Sequence, residues 1–191
     1  MITIDELIKK ALEEDLGEGD HSSIATVPPE ANGRAILVAK QKGILAGIEI
    51  AKKVFSAVNP QIHFQALLHD GQKLDVGDTI LEVHGPSISI LSAERTALNF
   101  MQRMSGIATY TNMLVRKLDG LNTRILDTRK TTPGFRFIEK EAVRMGGGFN
   151  HWMGLYDMIM IKDNHVDFAG GIRKAIDSTR SSLEKTTIDP V

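Results

Sequence analysis

Cysteine is missing from all 191 residues, which excludes disulfides, thiolate metal sites and cysteine nucleophiles at once. No apolar run approaches the roughly 18–20 residues a membrane helix needs, so no span is expected. Charge of one sign is also lacking. The formal net charge of -1 gives none of the basic field that nucleic-acid binding calls for. The six histidines, at positions 21, 63, 69, 84, 151 and 165, form no HExxH pair, and the 151/165 spacing fits no standard zinc arrangement. No internal repeat or low-complexity tract occurs, and the opening residues Met1-Ile2-Thr3-Ile4-Asp5-Glu6 are acidic with no signal-peptide core. What is present, 42% apolar and 25% charged residues, is ordinary for a globular protein of one large domain or two small ones. A cytoplasmic enzyme is the class this composition suits.

Ile4, Leu7, Ile8, Ala11 and Leu12 lie at helical spacing, with Thr3 and Glu6 as a capping box and Gly17 as the stop. The spacing predicts a helix over 4–16 and then a polar loop over 18–23. Ala35-Ile36-Leu37-Val38-Ala39 predicts a strand, and Ile48, Ala51, Val54, Phe55 and Val58 mark a second helix. From His63 to Gly85, turn dipeptides at Asp70-Gly71 and Gly77-Asp78 break short strands, which predicts a small antiparallel sheet. His63, His69 and His84 read as its sheet and turn residues. Ala93, Ala97, Leu98, Met101, Met104 and Ala108 trace a long helix, expected to break near Gly106 and to end at Gly120, with the methionines as core filler.

Beyond Gly120 the pattern becomes strand (125–127), loop, helix (136–145), strand (157–162), loop, helix (168–180). That alternation implies parallel strands joined by crossover helices. The chain is therefore expected to hold an α+β N-terminal domain at 1–110 and the first part of an α/β domain at 111–191.

Both predicted strands end in cations: Thr128-Arg129-Lys130 after the first, Lys162 with His165 after the second. Ligands of β/α architectures bind at the carboxyl ends of the strands, so Arg129, Lys130 and Lys162 are expected around one mouth suited to a polyanionic small molecule. The competing reading is solvated surface charge. His151 and His165 lie in the same loops as candidates for site or scaffold. In Gly146-Gly147-Gly148 one glycine suffices for a helix cap, and the others point to close approach by a phosphate or by neighbouring chain.

Together these residues resemble one family. Glu14-Asp15-Leu16-Gly17 with Gly19-Asp20 is similar to the opening signature of quinolinate phosphoribosyltransferases. Glu94-Arg95 with Ala97-Leu98-Asn99, then Ser105-Gly106-Ile107-Ala108-Thr109, resembles their domain-linking helix. Asp127-Thr128-Arg129-Lys130-Thr131-Thr132-Pro133-Gly134, Gly146-Gly147-Gly148, Asn150-His151 and Ile161-Lys162-Asp163-Asn164-His165 follow in order, to about residue 180.

The resemblance implies an N-terminal α/β sandwich followed by an open α/β barrel, in subunits paired so that each N-terminal domain caps the partner's barrel. It implies transfer of phosphoribosyl from phosphoribosyl pyrophosphate to quinolinate with decarboxylation, giving nicotinate mononucleotide, carbon dioxide and pyrophosphate in NAD biosynthesis. By motif, Lys130 and Lys162 would be catalytic. Arg95, Thr128, Arg129, Lys130, His151 and Lys162 would bind substrate, Arg95 reaching into the neighbouring subunit. Magnesium would accompany phosphoribosyl pyrophosphate, its protein ligands expected in a more C-terminal part. The expected assembly is a homodimer or larger, in the cytoplasm, with no nucleic acid and no membrane.

Two departures stand out. Trp152 occupies the place where the family pattern has an arginine that contacts quinolinate, and indole offers one donor and no charge. A closed eight-stranded barrel takes about 250 residues, so residues 121–191, with two strands and a stub near Thr187-Ile188, are expected to be a shortened, incomplete barrel. Two alternatives stand beside the main reading. One is a paralogous molybdenum-transport-associated protein with a pocket reshaped by Trp152. The other is a non-catalytic binding module, for which the Asp70-Gly71 hairpin lacks the exposed-turn lysine of a lipoyl-type carrier.

Overall fold

The computed structural model describes residues 2–184. The stub expected at Thr187-Ile188 lies outside the described residues. The chain divides into two compact units, Met1–His151 and Trp152–Val191, each described by itself.

The first unit opens with α1 (Ile4–Leu16), capped as its sequence requires: the Thr3 hydroxyl accepts from the Glu6 N–H while Glu6 accepts from the Thr3 N–H. The expected loop over 18–23 is instead interrupted by a short helix, α2 (His21–Thr26). Asp20 caps it by accepting from both the N–H and the hydroxyl of Ser23, and these bonds hold its carboxyl below the ordinary aspartate value. Hydrophobic periodicity says nothing about so short a polar helix, whose signal was the Asp-x-x-Ser cap.

β1 (Asn32–Val38), β3 (His63–Ala66) and β5 (Thr79–Pro86) form one antiparallel sheet in the order β1-β5-β3. The segment from His63 to Gly85 therefore does not pair only with itself. β1 joins its larger sheet, while β4 (Lys73–Leu74) pairs with β2 (Gly43–Ile44) in a second, two-stranded sheet. The register places Ala35 opposite Val83 and Leu37 opposite Leu81, with Phe64 and Ala66 beyond them. These side chains pack into the core, and the alternate positions, with Arg34 paired to Glu82 at 2.6 Å and His63 opposite His84, form the other face.

α3 (Ile48–Val58) buries Ile48, Ala51, Val54 and Phe55 against α4 (Ser87–Lys117), whose buried stripe includes Ala93, Ala97, Met101, Met104 and Ala108. α4 runs unbroken for 31 residues, and the break expected at Gly106 does not occur. That glycine is exposed on the helix, with open space where a side chain would project. The Ser105 hydroxyl bridges the N–H and C=O of Ala46, and Thr109 accepts from the Ile44 N–H at 2.8 Å. One polar turn of α4 thus satisfies the backbone entering α3. Gly47, at that entry, has φ +103° and lies against the Met101 backbone. The Asp70 carboxylate caps α3 by accepting from Ile48 at 3.0 Å, and burial raises its affinity for a proton.

Residues 125–127 do not form the expected strand. They make a single parallel bridge, Leu126 to Phe149, closed by Asp127 N–H to Phe149 O and Phe149 N–H to Ile125 O. The partner Phe149 was not anticipated, because the glycines preceding it mask any strand pattern. Between the two tips lies the expected helix, α5 (Arg136–Met145), which buries Ile138 and Ala142. The three glycines at its end separate into distinct roles. A side chain on Gly146 would stand 2.4 Å from the Ala108 carbonyl oxygen, Gly147 has φ +89°, and Gly148 lies against Val143 and Thr111. Close approach by neighbouring chain accounts for Gly146 and Gly148, and positive φ for Gly147.

In the second unit, residues 157–162 are irregular and form no strand, and the helix expected over 168–180 is two helices, α6 (Asp163–Ala169) and α7 (Ile172–Leu183), divided at Gly170-Gly171. Those glycines take φ +78° and +128°, values that end one helix before the next begins. Leu155, Tyr156, Ile159, Phe168 and Ile172 are exposed. Among the described residues no helix is long and apolar enough to cross a membrane.

Gly146→Ala is expected to lower the unfolding free energy by about 1–3 kcal/mol through overpacking against α4. Gly106→Ala, in open helical space, should raise it by about 0.5–1 kcal/mol. Urea denaturation of the two variants measures both.

Candidate active site

The loop after Asp127 carries the cations singled out by sequence. The Thr128 hydroxyl accepts from the Lys130 N–H at 3.1 Å, turning the chain sharply as it leaves the strand tip. Lys130 and Thr128 are exposed and Arg129 is half-buried. The far side of the loop is fastened twice to α5. Glu139 accepts from the Thr132 N–H at 3.1 Å, and Arg136 donates to the Thr131 hydroxyl at 3.1 Å.

Arg103, from α4, completes this anchorage. Its Nε and one terminal nitrogen both reach Glu139 Oε1, at 3.1 and 2.6 Å, and that same terminal nitrogen donates to Thr132. Burial pushes the Glu139 carboxyl toward the protonated form, but the bonds from Arg103 and Thr132 outweigh it and hold the group below the ordinary glutamate value. The loop is therefore pinned at its base, with Thr128 and Lys130 exposed above it and one terminal nitrogen of Arg129 buried.

Beneath the loop lies a group that the sequence reading missed. Lys140 is 1% exposed, and its ammonium meets Asp127 Oδ1, whose side chain is 6% exposed. It also donates to the His151 carbonyl at 3.1 Å, while the His151 N–H donates to Asp127 Oδ1 at 2.8 Å. With the Asn150 amide turned to match its surroundings, its nitrogen donates to Asp127 Oδ2 at 2.8 Å and to the Lys140 carbonyl at 2.9 Å. A buried pair of this kind persists only where further hydrogen bonds offset the desolvation of both ions, and removing one partner costs about 3–5 kcal/mol.

Thr128, Arg129, Lys130 and His151 thus occur in one unit, at the ends of two bridged strand tips. Arg95 belongs to the same unit, exposed on α4 about 12 Å along the axis from Arg103. Trp152 and Lys162 belong to the other unit, Trp152 half-buried and Lys162 exposed at the start of α6. There the Lys162 N–H donates to His165 Nδ1 at 2.9 Å, so His165 fastens the helix start.

Because Glu139 has a lowered folded-state value, its contribution to stability should be complete above the unfolded glutamate range, about pH 4.3, and fade as pH falls through the folded value. Thermal melts of the protein and of E139Q should converge as pH falls through that folded value, which a pH series would check.

Residues 20–105 match the family described as quinolinate phosphoribosyl transferase, N-terminal domain, and residues 107–189 match its C-terminal domain. The chain is 45% identical over 183 residues to quinolinate phosphoribosyltransferase [decarboxylating] 1b of Nicotiana tabacum, covering 95% of this chain and 52% of that protein. It is 49% identical over 171 residues to the probable nicotinate-nucleotide pyrophosphorylase [carboxylating] of Bacillus subtilis, covering 88% and 58%. The chain thus spans about half the length of the curated relatives it matches. Among solved structures, NadC from Streptococcus pyogenes superposes with TM-score 0.91 at 40% identity over 97% of this chain and 65% of that one. The nicotinate-nucleotide pyrophosphorylase of Ehrlichia chaffeensis superposes with TM-score 0.88 at 35% identity, covering 98% and 68%. With both domain families matched in order, the chain belongs to the quinolinate phosphoribosyltransferase family.

Proposed function

We propose that this chain takes part in phosphoribosyl transfer to quinolinate with loss of carbon dioxide, the activity named for its relatives. What supports the reading is the motif Thr128-Arg129-Lys130 beside His151, on a loop anchored by the Arg103–Glu139 pair and flanked by the buried Lys140–Asp127 pair. In this reading residues 121–184 begin a β/α barrel left incomplete in this chain, and a second copy lends Arg95 to the mouth. The setting is the cytoplasm. The molybdenum-transport-associated alternative is not favoured, since the matched relatives carry quinolinate or nicotinate-nucleotide names.

Quinolinate bears two carboxylates; the Arg129 guanidinium would offer one of them a bidentate grip, and Lys130 and Lys162 would each supply a point charge for phosphate oxygens. The pyridine nitrogen attacks the ribose anomeric carbon as its bond to pyrophosphate breaks, so the cations stabilise the departing charge. The alkylated nitrogen is then cationic. It accepts the electron pair left when the 2-carboxylate departs as carbon dioxide, and a proton fills the vacated carbon. Magnesium would lend charge neutralisation to the pyrophosphate. Among the described residues no group of three or more His, Asp or Glu side chains could hold a metal.

Trp152 weakens the grip on quinolinate. Restoring a charge-assisted bond with Trp152→Arg should tighten binding by about ten- to a hundred-fold, the equivalent of roughly 1.5–3 kcal/mol. Calorimetric titration with quinolinate, and release of carbon dioxide from carboxyl-labelled quinolinate with phosphoribosyl pyrophosphate, test the reading. Failure of both the protein and W152R to bind quinolinate would overturn it.

A further inference from the structure

Lys140 heads the fully buried side chains by size, an unusual place for a residue type that is nearly always solvated. Its two partners are not neighbours on its own helix. Asp127 ends the first strand tip, and the His151 carbonyl belongs to the second. Asp127 in turn accepts from the His151 N–H, and its second oxygen accepts from Asn150. A single carboxylate and a single ammonium therefore join three pieces of chain: both tips and α5 beneath them. Among the described residues, one backbone bridge, Leu126 to Phe149, also links the tips. One bridge leaves two chain ends able to pivot, whereas the side-chain bonds fix their separation and direction.

We infer that Lys140 is a positioning residue, acting through Asp127 to aim Thr128, Arg129, Lys130 and His151 at a common anion. Neither Lys140 nor Asp127 touches that anion. Asp127 accepts from Lys140, His151 and Asn150. The inference rests on the proposed reading only for the identity of the ligand.

The test uses the full chain and the double variant D127N/K140M, which leaves no unpaired buried charge and keeps an acceptor for the His151 N–H. K140M alone would leave the Asp127 carboxylate buried without its counter-ion. Three quantities are read at a temperature where far-ultraviolet circular dichroism shows the double variant folded. They are hydrogen exchange at the His151 amide, emission of Trp152, the sole tryptophan, and quinolinate affinity by calorimetry. The expected result is exchange at His151 at least tenfold faster, with β5 amides unchanged, a shifted Trp152 emission, and quinolinate bound about tenfold more weakly. Exchange, emission and affinity all at the parent's values in the folded double variant would overturn the inference and leave Lys140 a filler of the core. If the parent itself does not bind quinolinate, the proposed function falls, and exchange at His151 with the Trp152 emission still decides the role of Lys140.

Discussion

The ion pair between Lys140 and Asp127 is the constraint from which the rest of the site takes its shape. Two ions withdrawn from water are tolerated only because His151 and Asn150 complete their hydrogen bonding. Those two residues come from the second strand tip, so satisfying the pair and closing the floor of the site are one event. α5 supplies both the buried lysine and, one residue earlier, Glu139, which reaches the loop above. A single helical turn therefore faces inward to hold the floor and sideways to hold the wall.

Much of the N-terminal domain was legible in the sequence, because its determinants are local. The reciprocal Thr3 and Glu6 cap, the apolar stripe of α3 and the period of α4 each sit within a few turns of chain. Gly106 misled because glycine lowers helix propensity by only about 1 kcal/mol, far less than the buried stripe on either side supplies. The second unit was less legible. Asp157-Met158-Ile159-Met160-Ile161 has the side chains of a strand, but a strand also needs a hydrogen-bonded neighbour, and no other strand lies among that unit's described residues. Side-chain pattern reports burial preference. It does not report the partner.

The site was legible in its cations and illegible in its foundations. Thr128, Arg129, Lys130 and His151 emerged from position and motif, and the fold brings them to adjacent strand ends. Lys140 was passed over because a lysine in an amphipathic helix reads as solvated. Its partner Asp127 lies 13 positions away, a separation that no periodicity flags. Arg103 was hidden for the same reason, as one charge among several on a long helix. Functional side chains that face solvent announce themselves by type. The groups that hold them in place are recognised only when the chain has closed around them.

The continuity of α4 has a mechanical consequence. Arg95 near one end, Ser105 and Thr109 at the α3 entry, and Arg103 on the site loop all project from one stiff rod with no joint between them. A tilt that loosened the loop at Thr132 would swing Arg95 through an arc and strain the bonds to Ile44 and Ala46 in the same motion. The N-terminal core thus serves as the bearing in which that lever is seated, and any slack in it would be felt at the far end.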